Sequence, residues 1–191
     1  MQKNVLRGIL IILLLCTFYI IFGFSSQDGE KSGGISKRIT DFILEKSSKY
    51  NSLEENIKEQ VNERTESVIR KLAHFSIYTL VGILLMALLN TYENIKIKYR
   101  TYISIILGIL YAISDEIHQS FIPGRGPKIT DVFIDSLGVF LGTTVILLII
   151  EIINRNKEKC HKMSWYKVLK FEALLWYNEQ GWKEISKIGG I

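Results

Sequence analysis

The chain has 191 residues, enough for one domain, and 48% of them are hydrophobic. Its net charge is +5, but acidic and basic residues are mixed within the longest polar segment. This is not the charge pattern of a nucleic-acid-binding surface, and we expect no nucleic-acid partner. The two cysteines, Cys16 and Cys160, lie far apart without a spacing pattern, so neither a disulfide nor a cysteine metal site is indicated.

Four apolar stretches dominate the sequence. They are Val5–Phe24, Leu72–Leu89, Tyr102–Ser114 and Val132–Ile153. A helix needs roughly 20 residues to cross about 30 Å of hydrocarbon, and each stretch comes near that length. The third stretch is the shortest, but its helix can continue to Phe121 if the polar side chains that follow face inward. The sequence therefore predicts an all-α fold, a four-helix transmembrane bundle in a multi-pass protein of the cell membrane.

The first apolar stretch follows Lys3 and Arg7, as the apolar region of a secretory signal peptide would. Its apolar core is longer than the usual ~7–15 residues, and no Ala-x-Ala-like cleavage site follows it. We therefore interpret this stretch as an uncleaved membrane anchor.

The spans divide the chain into four parts. Residues 1–24 form the N-terminal segment with the first span, and residues 71–153 form a core with the second, third and fourth spans. In residues 25–70, apolar side chains recur at helical spacing among many charges, which predicts an amphipathic, extracytoplasmic helical loop. Residues 154–191 form a basic cytoplasmic tail, for which an amphipathic helix in the membrane interface and a disordered segment both stay open. The tail holds all three tryptophans, Trp165, Trp176 and Trp182.

The orientation follows from the loops. With four spans, both termini lie on the same side of the membrane. Lysine and arginine are slightly more frequent in the termini and the second loop than in the first and third loops. By the positive-inside rule, we expect both termini in the cytoplasm.

Polar side chains gather where the second span begins, the third ends and the fourth begins. Antiparallel spans bring these three points to one membrane face, which is extracytoplasmic if the termini are cytoplasmic. Within each span the polar residues recur at helical spacing, so each span presents one stripe. The stripes are Lys71, His74 and Tyr78; Tyr111, Asp115 and His118; and Asp131, Asp135 and Gly138. A charge near the bilayer core costs about 3 kcal/mol, so we expect the stripes to face one another.

The run from Asp115 to Gln119 cannot aim all of its polar side chains at one point, because successive helical residues are about 100° apart. We expect Asp115 and His118 to face inward as a pair. We expect Glu116 and Gln119 to face a loop or a neighbouring helix.

Small and rigid residues occur in the fourth span and in the loop before it. Gly138 and Gly142 form a Gly-x-x-x-Gly pair, which lets another helix approach closely, and we interpret the pair as packing. The third loop holds both prolines of the chain, Pro123 and Pro127, which enforce tight turns.

Four motifs carry a resemblance to a known family. They are Phe24-Ser25-Ser26-Gln27; Lys71-x-x-His74-Phe75-x-x-Tyr78; Asp115-Glu116-x-His118-Gln119-x-Phe121-x-Pro123-Gly124-Arg125; and Asp131-x-x-x-Asp135-x-x-Gly138-x-x-x-Gly142. With them the chain resembles the VanZ-like membrane proteins, named for a teicoplanin-resistance protein, from residue 5 to about residue 153. The resemblance implies a membrane protein linked in some members to glycopeptide or lipoglycopeptide resistance, and it supplies no established reaction.

Three interpretations of the polar cluster stay open. The first is a binding protein for a membrane lipid, a lipid-linked cell-wall precursor or a glycopeptide antibiotic. The second is an enzyme that uses acid–base or metal-assisted chemistry on a carrier lipid. The third is an ion-pair network that holds the helix ends together.

The candidate residues follow from side-chain chemistry. Carboxyl and imidazole groups suit acid–base catalysis, and the candidates are Glu116, His118, Asp115 and His74. Cations and polar groups suit an anionic ligand, and the candidates are Lys71, Arg125, Gln119, Asp131, Asp135 and Tyr78. No motif such as His-Glu-x-x-His is present, and we assign no metal ligand and no cofactor.

Overall fold

The computed structural model describes the backbone of residues 2–26, 29–122, 126 and 128–188, and the side chains within these ranges except at 2, 29–33, 35, 48–49 and 160–188. The helices are α1 (Gln2–Ser25), α2 (Gly29–Leu44), α3 (Ser48–Asn51), α4 (Glu55–Asn90), α5 (Ile97–Gln119) and α6 (Ile129–Ile188). No strand occurs in the described ranges, so the predicted all-α class is confirmed. The chain divides into two compact units, Met1–Leu147 and Leu148–Ile191, and the polar cluster lies in the first.

Three helices of the described chain are long and apolar enough to cross a membrane. They are Lys3–Ser25 in α1, Glu55–Asn90 in α4 and Ile129–Lys159 in α6. Large apolar side chains cover the outer faces of these helices, as contact with lipid requires. Helix α5 does not reach the same apolar character, because charged residues occupy both of its ends. The chain is therefore a membrane protein, and three of the four predicted spans are supported by length and composition.

The helix boundaries differ from the predicted ones in the first loop. Helix α4 begins at Glu55, so the last third of the predicted loop is the first part of a spanning helix. Helix α2 packs along this part of α4, where Ser36 Oγ donates a 3.1 Å hydrogen bond to Glu66 Oε1. Helix α6 continues to Ile188, but the three tryptophan side chains lie outside the described ones, so the amphipathic tail stays a prediction.

Contacts at the two ends of the bundle give the helix directions. At one end, Arg7 near the start of α1 donates hydrogen bonds of 3.0 and 2.8 Å to Thr91, which follows α4. At the other end, Ser26 after α1 contacts His118 near the end of α5, with 3.1 Å between Oγ and Nε2. Helices α1 and α5 therefore run in one direction and α4 runs in the other.

Glycines let α4 and α6 approach until their backbones touch. A side-chain carbon at Gly138 or Gly142 would collide with the α4 backbone at Phe75 or Thr79. Because the contacts advance along both helices together, α6 runs parallel to α4. The expected packing role of this glycine pair is confirmed, and the contact fixes the spacing between the polar stripes of the two helices.

Candidate functional site

A cavity of about 280 Å³ opens where α4, α5 and α6 meet. Its lining is mostly polar and comes from all three helices and from the loop before α6. The lining residues are Ser67, Arg70, Lys71, His74, Gln119, Gly126, Lys128, Asp131, Ile134 and Asp135. The predicted gathering of polar residues from three helices is therefore present as one concave surface.

Helical spacing explains why these residues line one cavity. On α4 the lining side chains Ser67, Arg70, Lys71 and His74 lie on one face of the helix, because 67 and 71, and 70 and 74, are four residues apart. The stripe predicted on α4 began at Lys71 and left out Ser67, one turn earlier, and the adjacent Arg70. The same spacing would have identified both. Lys128 has no such signal, because it precedes α6 in an irregular loop.

His74, Asp115 and Asp135 form a compact group beside the inner end of the cavity. They come from α4, α5 and α6 respectively, and one potential ligand atom of each lies within 4.8 Å of the other two. His74 Nδ1 is 3.7 Å from Asp135 Oδ2. The two carboxylates are buried and the imidazole is half-buried. This group, called the His–Asp–Asp cluster below, is the place where the three polar stripes converge.

Tyr78 packs next to the cluster, one turn after His74 on the same face of α4. Its side chain is fully buried, and its ring lies nearly parallel to the His74 ring with 6.5 Å between centroids. Its hydroxyl oxygen is buried and has no hydrogen-bond partner among the described residues. Tyr78 thus contacts the cluster and does not line the cavity, so its position differs from that expected of a ligand-binding side chain.

Gln119 ties the cluster to α1. Its Nε2 donates a 3.0 Å hydrogen bond to Asp115 Oδ2 and a 3.2 Å hydrogen bond to Ser25 Oγ. The sequence predicted that Asp115 pairs with His118, and this prediction is wrong. The partner of Asp115 on α5 is Gln119. Around the helix axis, Gln119 is rotated by about 40° from Asp115, because it lies four positions further along. His118 lies three positions further along and is rotated by about 60° in the opposite sense. The second rotation turns His118 away from the cluster.

His118 faces α1. Its ring stacks on Phe22 with 4.6 Å between centroids, and it contacts Ser26. Glu116 faces the third loop, as expected, and accepts a short hydrogen bond from the backbone N–H of Lys128. The four polar residues at the end of α5 thus face three places. Asp115 and Gln119 face the cluster, His118 contacts α1, and Glu116 contacts the loop before α6.

The charges of the cavity are segregated. Arg70, Lys71 and Lys128 line its outer part and are exposed or half-exposed, whereas Asp135 lies at its base with a side chain only 4% exposed. Asp131 also lines the cavity. Arg125, the remaining predicted cation, lies outside the described residues. A cationic mouth above an acidic base can hold an anion outside and a cation inside.

Comparison with known proteins identifies a family. No match was found among curated proteins, and none was found among solved structures. A family model described as VanZ/LLP1 matches residues 10–151, a range that includes the cavity and the His–Asp–Asp cluster. Because this match covers most of the sequence, the resemblance found in the motifs is confirmed, and the chain belongs to the VanZ/LLP1 family.

Proposed function

We propose that this protein acts at the cell envelope by binding the phosphate-bearing headgroup of an anionic amphiphile, such as a lipid-linked cell-wall precursor. The observation that carries the proposal is the cationic mouth of the cavity, formed by Arg70, Lys71 and Lys128 at one end of an apolar bundle. Arginine and lysine form the strongest hydrogen bonds that proteins offer to phosphate oxygens. The apolar helix surfaces next to the mouth suit the hydrocarbon chain of the same ligand.

The size of the cavity supports a headgroup as the bound part. Pockets that enclose drug-sized ligands usually measure about 300–1,000 Å³, and this one measures about 280 Å³. A glycopeptide antibiotic is larger than such a ligand. We therefore propose that any contribution to teicoplanin resistance acts through the lipid-linked target, whose exposure changes when its headgroup is bound, and not through enclosure of the drug.

The direct test is binding of farnesyl diphosphate to the full-length protein in detergent, with farnesol as the uncharged probe. We expect the Arg70→Gln/Lys71→Gln double variant to bind farnesyl diphosphate about 10-fold more weakly, because a solvent-exposed or half-exposed cation contributes up to about 1 kcal/mol. Binding is measured by calorimetry at low ionic strength.

The matched control is Lys98→Gln, since Lys98 is an exposed cation near the start of α5, at the opposite end of the bundle. This variant should bind farnesyl diphosphate like the wild type. Equal affinity for farnesol and farnesyl diphosphate, or an unchanged affinity in the double variant, would contradict a phosphate-binding mouth.

We also propose that α5 crosses the membrane, which gives four spans with the cavity on the extracytoplasmic face. Near its start, Arg100 donates a 2.8 Å hydrogen bond to the Asn90 side chain at the end of α4. Near its end, His118 contacts Ser26 after α1. Since α1 and α4 are long enough to cross, a helix that connects the same two ends crosses with them. The slight excess of Lys and Arg on the terminus side supports cytoplasmic termini.

Cysteine labelling tests this topology. In a background with both native cysteines replaced by serine, single cysteines are introduced at the exposed positions Ser52, Asn94 and Gly126. With cytoplasmic termini and four spans, we expect a membrane-impermeant maleimide to label positions 52 and 126 in intact cells. Position 94 should react only after the cells are permeabilised. Labelling of 94 and 126 from the same side would show that α5 does not cross.

A second candidate function is hydrolysis of the same ligand. The observation that favours it is the position of His74 and Asp135 at the base of the cavity, where a headgroup oxygen would meet an imidazole and a carboxylate. In this reaction, water attacks the terminal phosphorus of the diphosphate, and the bond from that phosphorus to the bridging oxygen breaks. The monophosphate departs with the bridging oxygen, and inorganic phosphate and a proton are released. Release of phosphate from farnesyl diphosphate by the wild type, lost in His74→Ala, would support an enzyme. Retained binding without release would support a binding protein.

A further inference from the structure

We propose that His74, Asp115 and Asp135 bind a divalent transition-metal ion, with Zn²⁺ and Mn²⁺ as the metals that suit the donors. The geometry is the first argument. The three potential ligand atoms come from three different helices and lie within 4.8 Å of one another. Ligand atoms about 2.1 Å from one ion are about 3–4 Å apart, so small side-chain rotations bring this cluster to coordination distance.

An unsatisfied buried oxygen is the second argument. Asp135 Oδ1 is buried and has no hydrogen-bond partner among the described residues, while Oδ2 of the same carboxylate faces His74. A buried carboxylate oxygen without a partner is costly, and a second buried carboxylate, that of Asp115, lies in the same cluster. A divalent ion would neutralise both carboxylates and satisfy the free oxygen. The fold thus holds an acidic pair in a place where a bound cation removes the cost.

The surroundings resemble those of a metal site in two further respects. Gln119 donates a hydrogen bond to Asp115 Oδ2, and such outer contacts orient ligating carboxylates. The cavity reaches His74 and Asp135, so an ion has a route from outside. Three protein ligands leave a position open for water or for a phosphate oxygen.

The donor set selects the metal class. Calcium prefers six to eight oxygen ligands, and Mg²⁺ retains several waters in strict octahedral geometry. One imidazole nitrogen with two carboxylate oxygens suits Zn²⁺ or Mn²⁺ better. The sequence contains no metal motif because the three ligands lie on three helices, far apart along the chain. The inference is independent of the proposed amphiphile, since none of its arguments uses the cations of the mouth.

Metal binding is tested on untagged, full-length protein in detergent, first stripped with a chelator and then dialysed against Zn²⁺ or Mn²⁺ alone. We expect about one ion per chain in the wild type. We expect affinity to fall by more than about 100-fold in His74→Ala and in Asp135→Asn, because even changes outside the ligand shell cost about 10- to 100-fold. Substitution with Co²⁺ should give visible absorption bands in the wild type that are lost in both variants.

The matched control is His118→Ala, because His118 is a half-buried histidine at the same end of the bundle that contacts α1. It should retain the ion and the Co²⁺ spectrum. Wild-type protein that binds no ion, a His74→Ala variant that binds as tightly as the wild type, or loss of the ion in His118→Ala would each overturn the proposal. A rise in the thermal midpoint of the wild type with added Zn²⁺ supplies a readout that does not depend on folding of the variants. Because no amphiphile is present, failure here leaves the phosphate-binding test unaffected.

Discussion

Replacement of Gly142 by leucine is expected to destabilise the protein by about 3 kcal/mol, at the upper end of the cost of overpacking. A side-chain carbon at this position would collide with the α4 backbone at Thr79, and a backbone moves away less readily than a flexible side chain. The helices must separate, and His74 on α4 then moves away from Asp135 on α6. We therefore expect the loss of stability to be accompanied by loss of function. The free energy of unfolding is measured by titration with denaturing detergent.

Gly23→Leu is the control for this substitution. Gly23 is an exposed glycine of a spanning helix, and a side-chain carbon added there meets no atom within 4 Å. Its replacement should change the unfolding free energy by less than about 0.5 kcal/mol. If Gly142→Leu and Gly23→Leu are equally stable, then the close contact between α4 and α6 does not set the architecture.

The sequence predicted the fold class because long apolar stretches have few alternatives to membrane helices. The helix boundaries were harder to predict from the sequence. The start of α4 at Glu55 could not be read from its composition, since the residues before Lys71 are as charged as those of a surface helix. Helical spacing predicted that these residues are helical but not that they continue into the second span, where their position follows from packing against α2, a tertiary contact. For α5, charges at both ends reduce its apolar character, and its position in the bundle follows from contacts with α1 and α4.

The location of the polar cluster was predictable for a different reason. Span order alone places the start of the apolar stretch of α4, the end of α5 and the start of α6 at one end of the bundle. Which neighbours pair was not predictable, because Gln119 and His118 differ by a single 100° step and either could have faced Asp115. The choice depends on α1, which offers Phe22 and Ser26 to His118.

Helical spacing also has a limit at the loops. The cation Lys128 lines the cavity although it belongs to no periodic pattern. Its backbone is held by Glu116, a contact between α5 and the loop before α6. Helical spacing could therefore have identified the omitted Ser67 and Arg70 on α4, whereas no periodic pattern could have identified Lys128.

Asp135→Asn is expected to remove whatever protection the wild type gives cells against teicoplanin, without weakening the fold. If the cluster were only an ion-pair network, loss of the charge would destabilise the protein by about 3–5 kcal/mol, as breaking a buried pair does. If Asp135 instead serves to bind a ligand, its charge is buried at a cost in the absence of that ligand, and replacement by neutral asparagine removes this desolvation cost. Protein treated with a chelator should then be equally stable or more stable by about 1–2 kcal/mol.

The two readouts together separate function from structure. Cells with matched expression are compared for tolerance to teicoplanin, and the purified proteins are compared for unfolding, with Glu63→Gln as the control at an exposed acid of α4. A less stable Asp135→Asn variant would identify a structural network, and a stable variant with full protection would remove Asp135 from the site. Wild-type cells no more tolerant than cells with an empty vector would contradict the link to resistance. A buried charge that costs stability and is required for activity is the combination expected of a site retained for binding.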